Sequence, residues 1–429
     1  MGLGIGTPPS PLSSHRGQLT HTRAGPMILA PLSEFYGRRP IYLVSFTCFS
    51  LLLLPCALAP NIAVLLVFRF FSGMAGSAFL SVAGGTVGDM FSGRELSAPM
   101  MIYTASPVCL TPIRAVSPLT NPAQFVGPEL GPLIGGFINQ NVQWRWTFWV
   151  MLIWSTLEFL CIYLFVPETY NPVLLRRRAV QLRASTGDPH YAPIEKLSRS
   201  IPRTIAWSCL RPFQLLFFEP MLLLLCIFTA ILLGVLYLFF QAFPLVFGNI
   251  HNFDLQTTGL TFLGLFVGMI SGILSDPFWA RIHTRLIQRN NGISEPEFRL
   301  ASGVLGGLLV PIGLFWFSWT IYKTIHWIVP IIASVLFGAG TLLVFSAVFT
   351  FLVDAYPLYA ASALAANSFV RSSFAAGFPL FSNVLYEQLG YQWAGSLLAF
   401  LTVAMAPVMV GFMVWGKRIR GRSRFAGGK

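Results

Sequence analysis

Gly272-Ile-Leu-Ser-Asp276-Pro-Phe-Trp-Ala-Arg281 repeats, offset for offset, Ala30-Pro-Leu-Ser-Glu34-Phe-Tyr-Gly-Arg-Arg39. A small residue, a leucine, a serine, a carboxylate and an arginine recur at the same places. Both decapeptides lie where an apolar segment gives way to a basic turn. The charges therefore fall where a membrane helix meets water. Chance could supply one such match, but parallel repeats related by an axis along the membrane normal are an established transporter plan.

Working outward from these turns, about 20 apolar residues suffice to cross a bilayer. Runs of that kind fall near 41–60, 62–88, 97–138 (interrupted), 147–166, 220–243, 257–275, 301–320, 327–352, 359–381 and 392–415, after a short apolar fragment Met27–Leu32. The polar stretch 171–212 sets four of them apart from the other six and is expected to be a cytosolic linker. Composition agrees. Of 429 residues, 55% are hydrophobic and only 10% charged, against about 25% charged in soluble domains. This excludes the water-soluble classes.

The net charge of +13 would by itself suggest a nucleic acid partner. The placement of the charges says otherwise. Of the 28 Lys and Arg, 21 lie on one set of loops and the tail: Arg38, Arg39, Arg94, eight in 176–211, four in 281–299 and six in 417–429. The alternate loops carry only Arg145 and Lys323. Basic residues are retained on the cytosolic side, so linker and tail are expected in the cytosol, with a lipid bilayer and no nucleic acid as partner. The six Cys form no CxxC pair and the six His no ligand spacing, so neither zinc nor a disulfide framework is expected. Residues 1–24 lack a signal-peptide pattern. No nucleophile, metal or phosphate motif points to an enzyme, and no cofactor is expected.

Further signatures are Arg69-Phe-Phe-Ser-Gly-Met-Ala-Gly76, Gly127-Pro-Glu-Leu-Gly-Pro-Leu-Ile-Gly-Gly136, Pro167-Glu-Thr-Tyr170 and Asp354-Ala-Tyr-Pro357. With Pro31–Pro40 they resemble the major facilitator superfamily, and within it the twelve-span drug:proton antiporters of fungi. The resemblance covers residues 25 to about 425. It implies an all-α membrane protein, a two-lobed helical bundle working by alternating access. Two departures stand out. Before the Glu34 motif the family has an intact first span and a whole second one; here stands the polar segment 1–24, so about ten full spans plus a remnant of the second are expected, the first span missing. The family also runs from Ala105-Ser-Pro107 almost directly into Phe125-Val-Gly127, whereas here Val108 to Gln124 intervene.

That insert places Pro112, Pro118, Pro122 and Arg114 within one span. An interior Pro costs ~3 kcal/mol and a mid-membrane Arg ~2.5–3.5 kcal/mol. Its codons are compatible with a translated intron in frame; a looped-out outer segment is the alternative. The expected organisation is a non-family segment 1–24, an incomplete N-terminal lobe 25–170 with insert 108–124, the linker 171–212, a six-helix C-terminal lobe 213–416 and a basic tail 417–429.

Charges inside the membrane are costly and therefore candidates for function: Arg69, Glu129, Glu158 and Arg371. The resemblance implies that Arg69 and Glu129 couple transport to protons; packing charges are the alternative. It makes Gly127, Pro128, Gly131, Pro132, Gly135 and Gly136 an antiporter motif that seals the contact between lobes, although glycine spacing alone equally fits ordinary helix packing. Glu34, Arg38, Arg39, Asp89 and Arg94, with Asp276 and Arg281, form a cytosolic gate in the family, and positive-inside topology would also explain the arginines. Tyr237 and Gln241, with Asn367 and Arg371, are polar groups at helical spacing among aromatics, suited to a cavity for large apolar or cationic compounds.

The expected function is proton-coupled export of hydrophobic or cationic small molecules by a monomer in the plasma membrane. A nutrient importer of the same superfamily is a second reading. A non-transporting product of an exporter gene is a third.

Overall fold

The computed structural model describes residues 29, 32–33, 36–77, 82, 86–87, 89–90, 126–186, 191–192, 201–421, 423 and 425. In the N-terminal half these form α1 (Arg38–Ala57), α2 (Ile62–Gly76), α3 (Val126–Asn141) and α4 (Arg145–Phe165). Then follow α5 (Asn171–Thr186) and α6 (Ile201–Phe218). The C-terminal half holds α7 (Pro220–Phe243), α8 (Leu255–Thr261), α9 (Leu263–Leu274), α10 (Asp276–Arg289), α11 (Leu300–Trp319), α12 (Ile328–Ala355) and α13 (Ala360–Arg420). No strand occurs among the described residues.

Seven helical segments among the described residues are long and apolar enough to cross a membrane. A helix is what an apolar segment must adopt there, because lipid offers its backbone no hydrogen-bond partner. The last segment, 59 residues long, would reach about 88 Å as one rod, against ~30 Å of hydrocarbon. Gly390 resolves this: at φ +73 it breaks α13 into two successive spans, and a left-handed backbone of this kind suits glycine. Helices α8 and α9 together make the run expected at 257–275, and α10 leaves it as a basic amphipathic helix.

Two features differ from the linear reading. The linker region is helical for much of its length, through α5 and α6, and α6 continues past residue 212, with Leu215 buried in the C-terminal core. Pro212 inside α6 does not stop it. The run at 97–138 is described only from Val126 onward; residues 1–24 and the insert 108–124 lie outside the described residues.

The C-terminal core is aromatic. Phe239 stacks on Phe337 at 4.6 Å and meets Phe317 at 4.7 Å, while Phe243 stacks on Phe262 at 4.7 Å. In the N-terminal half α1 packs against α2 and α4 through Phe46 and Ile162 near one end and Leu53 and Phe148 near the other.

Candidate functional site

At the start of α1 a glycine and a carboxylate set the geometry. Gly37 has φ +102, a region that L side chains avoid, and a Cβ there would collide with the Glu168 carboxylate. With that space open, Glu168, just after α4, accepts from the backbone N–H groups of Arg38 (2.9 Å) and Arg39 (3.2 Å). It also accepts from Thr169 (3.1 Å) and Tyr170 (3.0 Å). The first N–H groups of a helix lack intrahelical partners, and an anion there is further favoured by the helix dipole. Arg38 then turns to Asp89, Nε to Oδ2 at 2.9 Å, and donates from Nη1 to Ser33 Oγ at 2.5 Å. Its guanidinium lies 4.9 Å from the Tyr170 ring centre. Arg39 donates to the Tyr163 carbonyl at 3.0 Å. Glu34 and Arg94 lie outside the described residues. Glu168 was legible only as part of a signature; its capping role needed the fold to close a loop of 130 residues.

The C-terminal half repeats this device. Arg299, at the start of α11, donates from Nε to Asp354 Oδ2 at the end of α12, again at 2.9 Å. Around it Glu297 accepts twice from Arg420 (3.1 and 3.2 Å) and Glu295 pairs with Lys417 at 2.5 Å. The Lys417 hydrogen bond, foremost, holds the Glu295 carboxyl below its ordinary value. Tyr356 Oη donates to Glu219 at 3.3 Å. The structural counterpart of Arg38 is thus Arg299, not the residue aligned with it in the decapeptide repeat, because α10 and its loop are interposed. Asp276 occupies the first turn of α10 and Arg281 stands exposed on it.

Within the membrane the candidates separate. Arg69, half-buried, places its guanidinium 5.2 Å from the Phe148 ring centre. Among the described residues no carboxylate lies within ion-pair reach of it. Glu129, Gly127 and Pro128 lie in the first turns of α3. Glu158 accepts from Trp154 Nε1 on an apolar, outward face of α4. Asn367, 1% exposed, donates from Nδ2 to Thr229 Oγ1 at 2.7 Å and approaches Cys226 Sγ at 3.6 Å, while its Oδ1 has no hydrogen-bond partner among the described residues. One turn on, Arg371 is buried with its guanidinium 4.9 Å from Phe349 and 5.4 Å from Phe345. Gln241 instead accepts from Ser382, and Tyr237 meets Phe240 edge-on at 5.7 Å. Fifteen residues of helix separate Asn367 from Ser382, about 22 Å. Asn367 and Gln241 thus pair across α7 and α13 at two separate levels, while Arg371 lies against the rings of α12.

The two halves meet where Val87 packs on the C-terminal core and, at the end of the bundle remote from both charge clusters, where α3 lies against α8. A Cβ on Gly136 of α3 would lie 2.7 Å from the Leu255 carbonyl oxygen, and one on Gly259 of α8 would lie 2.8 Å from that of Pro132. Only glycines allow so close a backbone approach. Pro132, Gly135 and Gly136 are buried and Gly131 is half-buried.

Comparison with known proteins agrees with this architecture. Over 420 residues the chain is 58% identical to a protein named Efflux pump atB from Aspergillus terreus, covering 96% of this chain and 85% of that one. It is 40% identical over 405 residues to a probable drug/proton antiporter of Saccharomyces cerevisiae, covering 94% of this chain and 75% of that one. In fold it resembles the solved structure of a proton:xylose symporter, with a TM-score of 0.62 at 14% identity over 94% of this chain and 86% of that one. The family model described as Major Facilitator Superfamily matches residues 24–379. The chain belongs to that superfamily and is a multi-pass membrane transporter rather than an enzyme.

Proposed function

We propose that this transporter exports hydrophobic or cationic small molecules in exchange for protons, as a monomer in the plasma membrane with linker and tail in the cytosol. The observation that carries this reading is the identity, at 58% and 40%, with proteins named as an efflux pump and a probable drug/proton antiporter. The geometry supports specific roles. Arg69, held against Phe148, and Glu129 are assigned to proton coupling, as the family resemblance implies. Asn367 offers its Oδ1, without a partner among the described residues, to a hydrogen-bond donor on the substrate. Arg371, with the Phe345 and Phe349 rings, and Tyr237 with Gln241 line the remainder of the path. The Arg38–Asp89 and Arg299–Asp354 pairs latch the cytosolic gate, joined by Glu34, Arg39, Arg94, Asp276 and Arg281. The glycine contact between α3 and α8 closes the outer end. Lobes 25–170 and 213–416 rock about it, joined by 171–212.

Inverted vesicles carrying the chain test the reading. Dye uptake should follow an imposed proton gradient, vanish when that gradient is collapsed in the presence of ATP, and vanish in Arg69→Ala protein that still reaches the membrane. Uptake driven by ATP alone, or undiminished in Arg69→Ala, overturns it.

A further inference from the structure

The tail beyond α13 is tied to the foot of the C-terminal half by contacts that transport itself does not call for. Ser423 Oγ donates to Glu219 Oε1 at 2.7 Å, and the Phe425 backbone N–H donates to Ser423 Oγ at 3.1 Å. The Phe425 ring stands edge-on to Tyr359 at 5.7 Å. Glu219 is 3% exposed and also receives the Tyr356 hydroxyl from the Asp354–Pro357 turn. One serine thus fastens the tail to a buried carboxylate shared with the end of α12.

The sequence around it reads Lys417-Arg-Ile-Arg420-Gly-Arg-Ser423-Arg-Phe425. Arginines stand five, three and one residues before the serine. Guanidinium groups so spaced suit the carboxylate-lined peptide groove of an arginine-directed protein kinase, since Arg pairs with carboxylates in a fixed fork geometry. We propose that Ser423 is a phosphorylation site whose modification releases the tail from Glu219. The proposal rests on the cytosolic orientation given above, because the phosphoryl donor is a cytosolic nucleoside triphosphate.

In that step the Ser423 Oγ–P bond forms as the bond from the γ-phosphorus to the bridging oxygen breaks. The hydroxyl proton passes to the kinase's base, and the nucleoside diphosphate leaves. The ester oxygen has then lost the hydrogen it gave to Glu219. A group of charge about −1.5 to −2 stands in its place, against a carboxylate that burial shields little from it. Arg420 and Lys417 are already engaged by Glu297 and Glu295. The last turn of α13 therefore stays latched while the chain from Gly421 onward detaches. A cavity of about 620 Å³ beside Glu219, bordered by Met221, Trp415 and Arg418, gives the displaced phosphate room and a cation to face.

The test uses the full chain in lipid nanodiscs with ATP and the catalytic subunit of an arginine-directed kinase. Mass spectrometry should locate phosphate on Ser423. Hydrogen exchange in the peptide containing Phe425 should then quicken about tenfold beyond that of Ser423→Ala, and Ser423→Glu should reproduce this. In Glu219→Gln protein, where the repelling charge is absent, the excess of Ser423→Glu over Ser423→Ala should disappear. Absence of phosphate at Ser423 overturns the proposal. So does exchange in the phosphorylated protein equal to that of Ser423→Ala, which would leave the contact a plain structural hydrogen bond.

Discussion

Arg299 and Asp354 hold the feet of α11 and α12 together through Nε and Oδ2 at 2.9 Å. The pair repeats, atom for atom and at equal distance, the bond between Arg38 and Asp89 in the other half. Both arginines begin a span, and Asp354 ends the next one, so the unit shared by the halves is an arginine–carboxylate clamp.

Removing the cation from one clamp should be costly. In Arg299→Ala the half-buried Asp354 keeps its charge without its partner, a loss of about 3 kcal/mol for a buried pair. Arg299→Lys should recover part of it, because a lysine keeps the charge but lacks the planar fork. Thermal unfolding in detergent measures both; equal stability of wild type and Arg299→Ala would show the clamp to be idle.

Glu168→Ala should destabilise the N-terminal half by about 2–3 kcal/mol, since it strands backbone donors at the start of α1 inside a buried site. Glu168→Gln, which keeps one carbonyl acceptor, should cost less. Gly37→Ala should resemble Glu168→Ala, because its Cβ displaces the same carboxylate. Proteolytic half-lives of the three variants rank them directly.

Gly136→Leu and Gly259→Leu should each prise α3 from α8. The expected result is a proton leak in proteoliposomes and reduced coupled transport, with the protein still inserted. Cysteines placed at Leu133 and Leu255 should crosslink in the parent and fail to do so in either variant. Unchanged crosslinking would place the lobe contact elsewhere.

The Glu295–Lys417 pair makes a statement about acidity. Its carboxyl is held below the ordinary value, so its contribution is fully present above the unfolded carboxylate pKa and is lost as pH falls through the folded one. Protection of the end of α13 against exchange should stay level from neutral pH down to about 5 and fall only in stronger acid. Lys417→Met should abolish that acid limb. A fall centred near neutrality would assign the latch to another group.

Asn367→Leu should alter which dyes are exported more than how fast the best one is. The substitution removes an acceptor with no partner among the described residues, and Thr229 retains its bond to the Leu225 carbonyl. Uniform loss for every dye would mark Asn367 as structural.

The spans were legible because lipid leaves a run of twenty apolar residues little choice but a helix. The sharing of polar work was less so. Tyr237 with Gln241, and Asn367 with Arg371, each share a helical register, yet Gln241 pairs with Ser382 and Asn367 with Thr229 at separate levels, which periodicity along one helix does not reveal. Glu297, Arg299 and Glu219 read as ordinary loop charges. Their importance comes from Arg420, Asp354 and Ser423, brought to them across 55 to 204 residues of chain. The decapeptide repeat showed that the halves correspond, but it matched the helix boundary and so missed Arg299.

The closest approaches between α3 and α8, Gly136 to Leu255 and Gly259 to Pro132, are made backbone to backbone. Where two backbones meet directly there is no side chain to withdraw, so at these points the surfaces can part and rejoin without a rotamer change. Such a joint behaves as a plain bearing: the energy that drives each turn of the cycle is left to the charged clamps at the far end and to whatever occupies the space between.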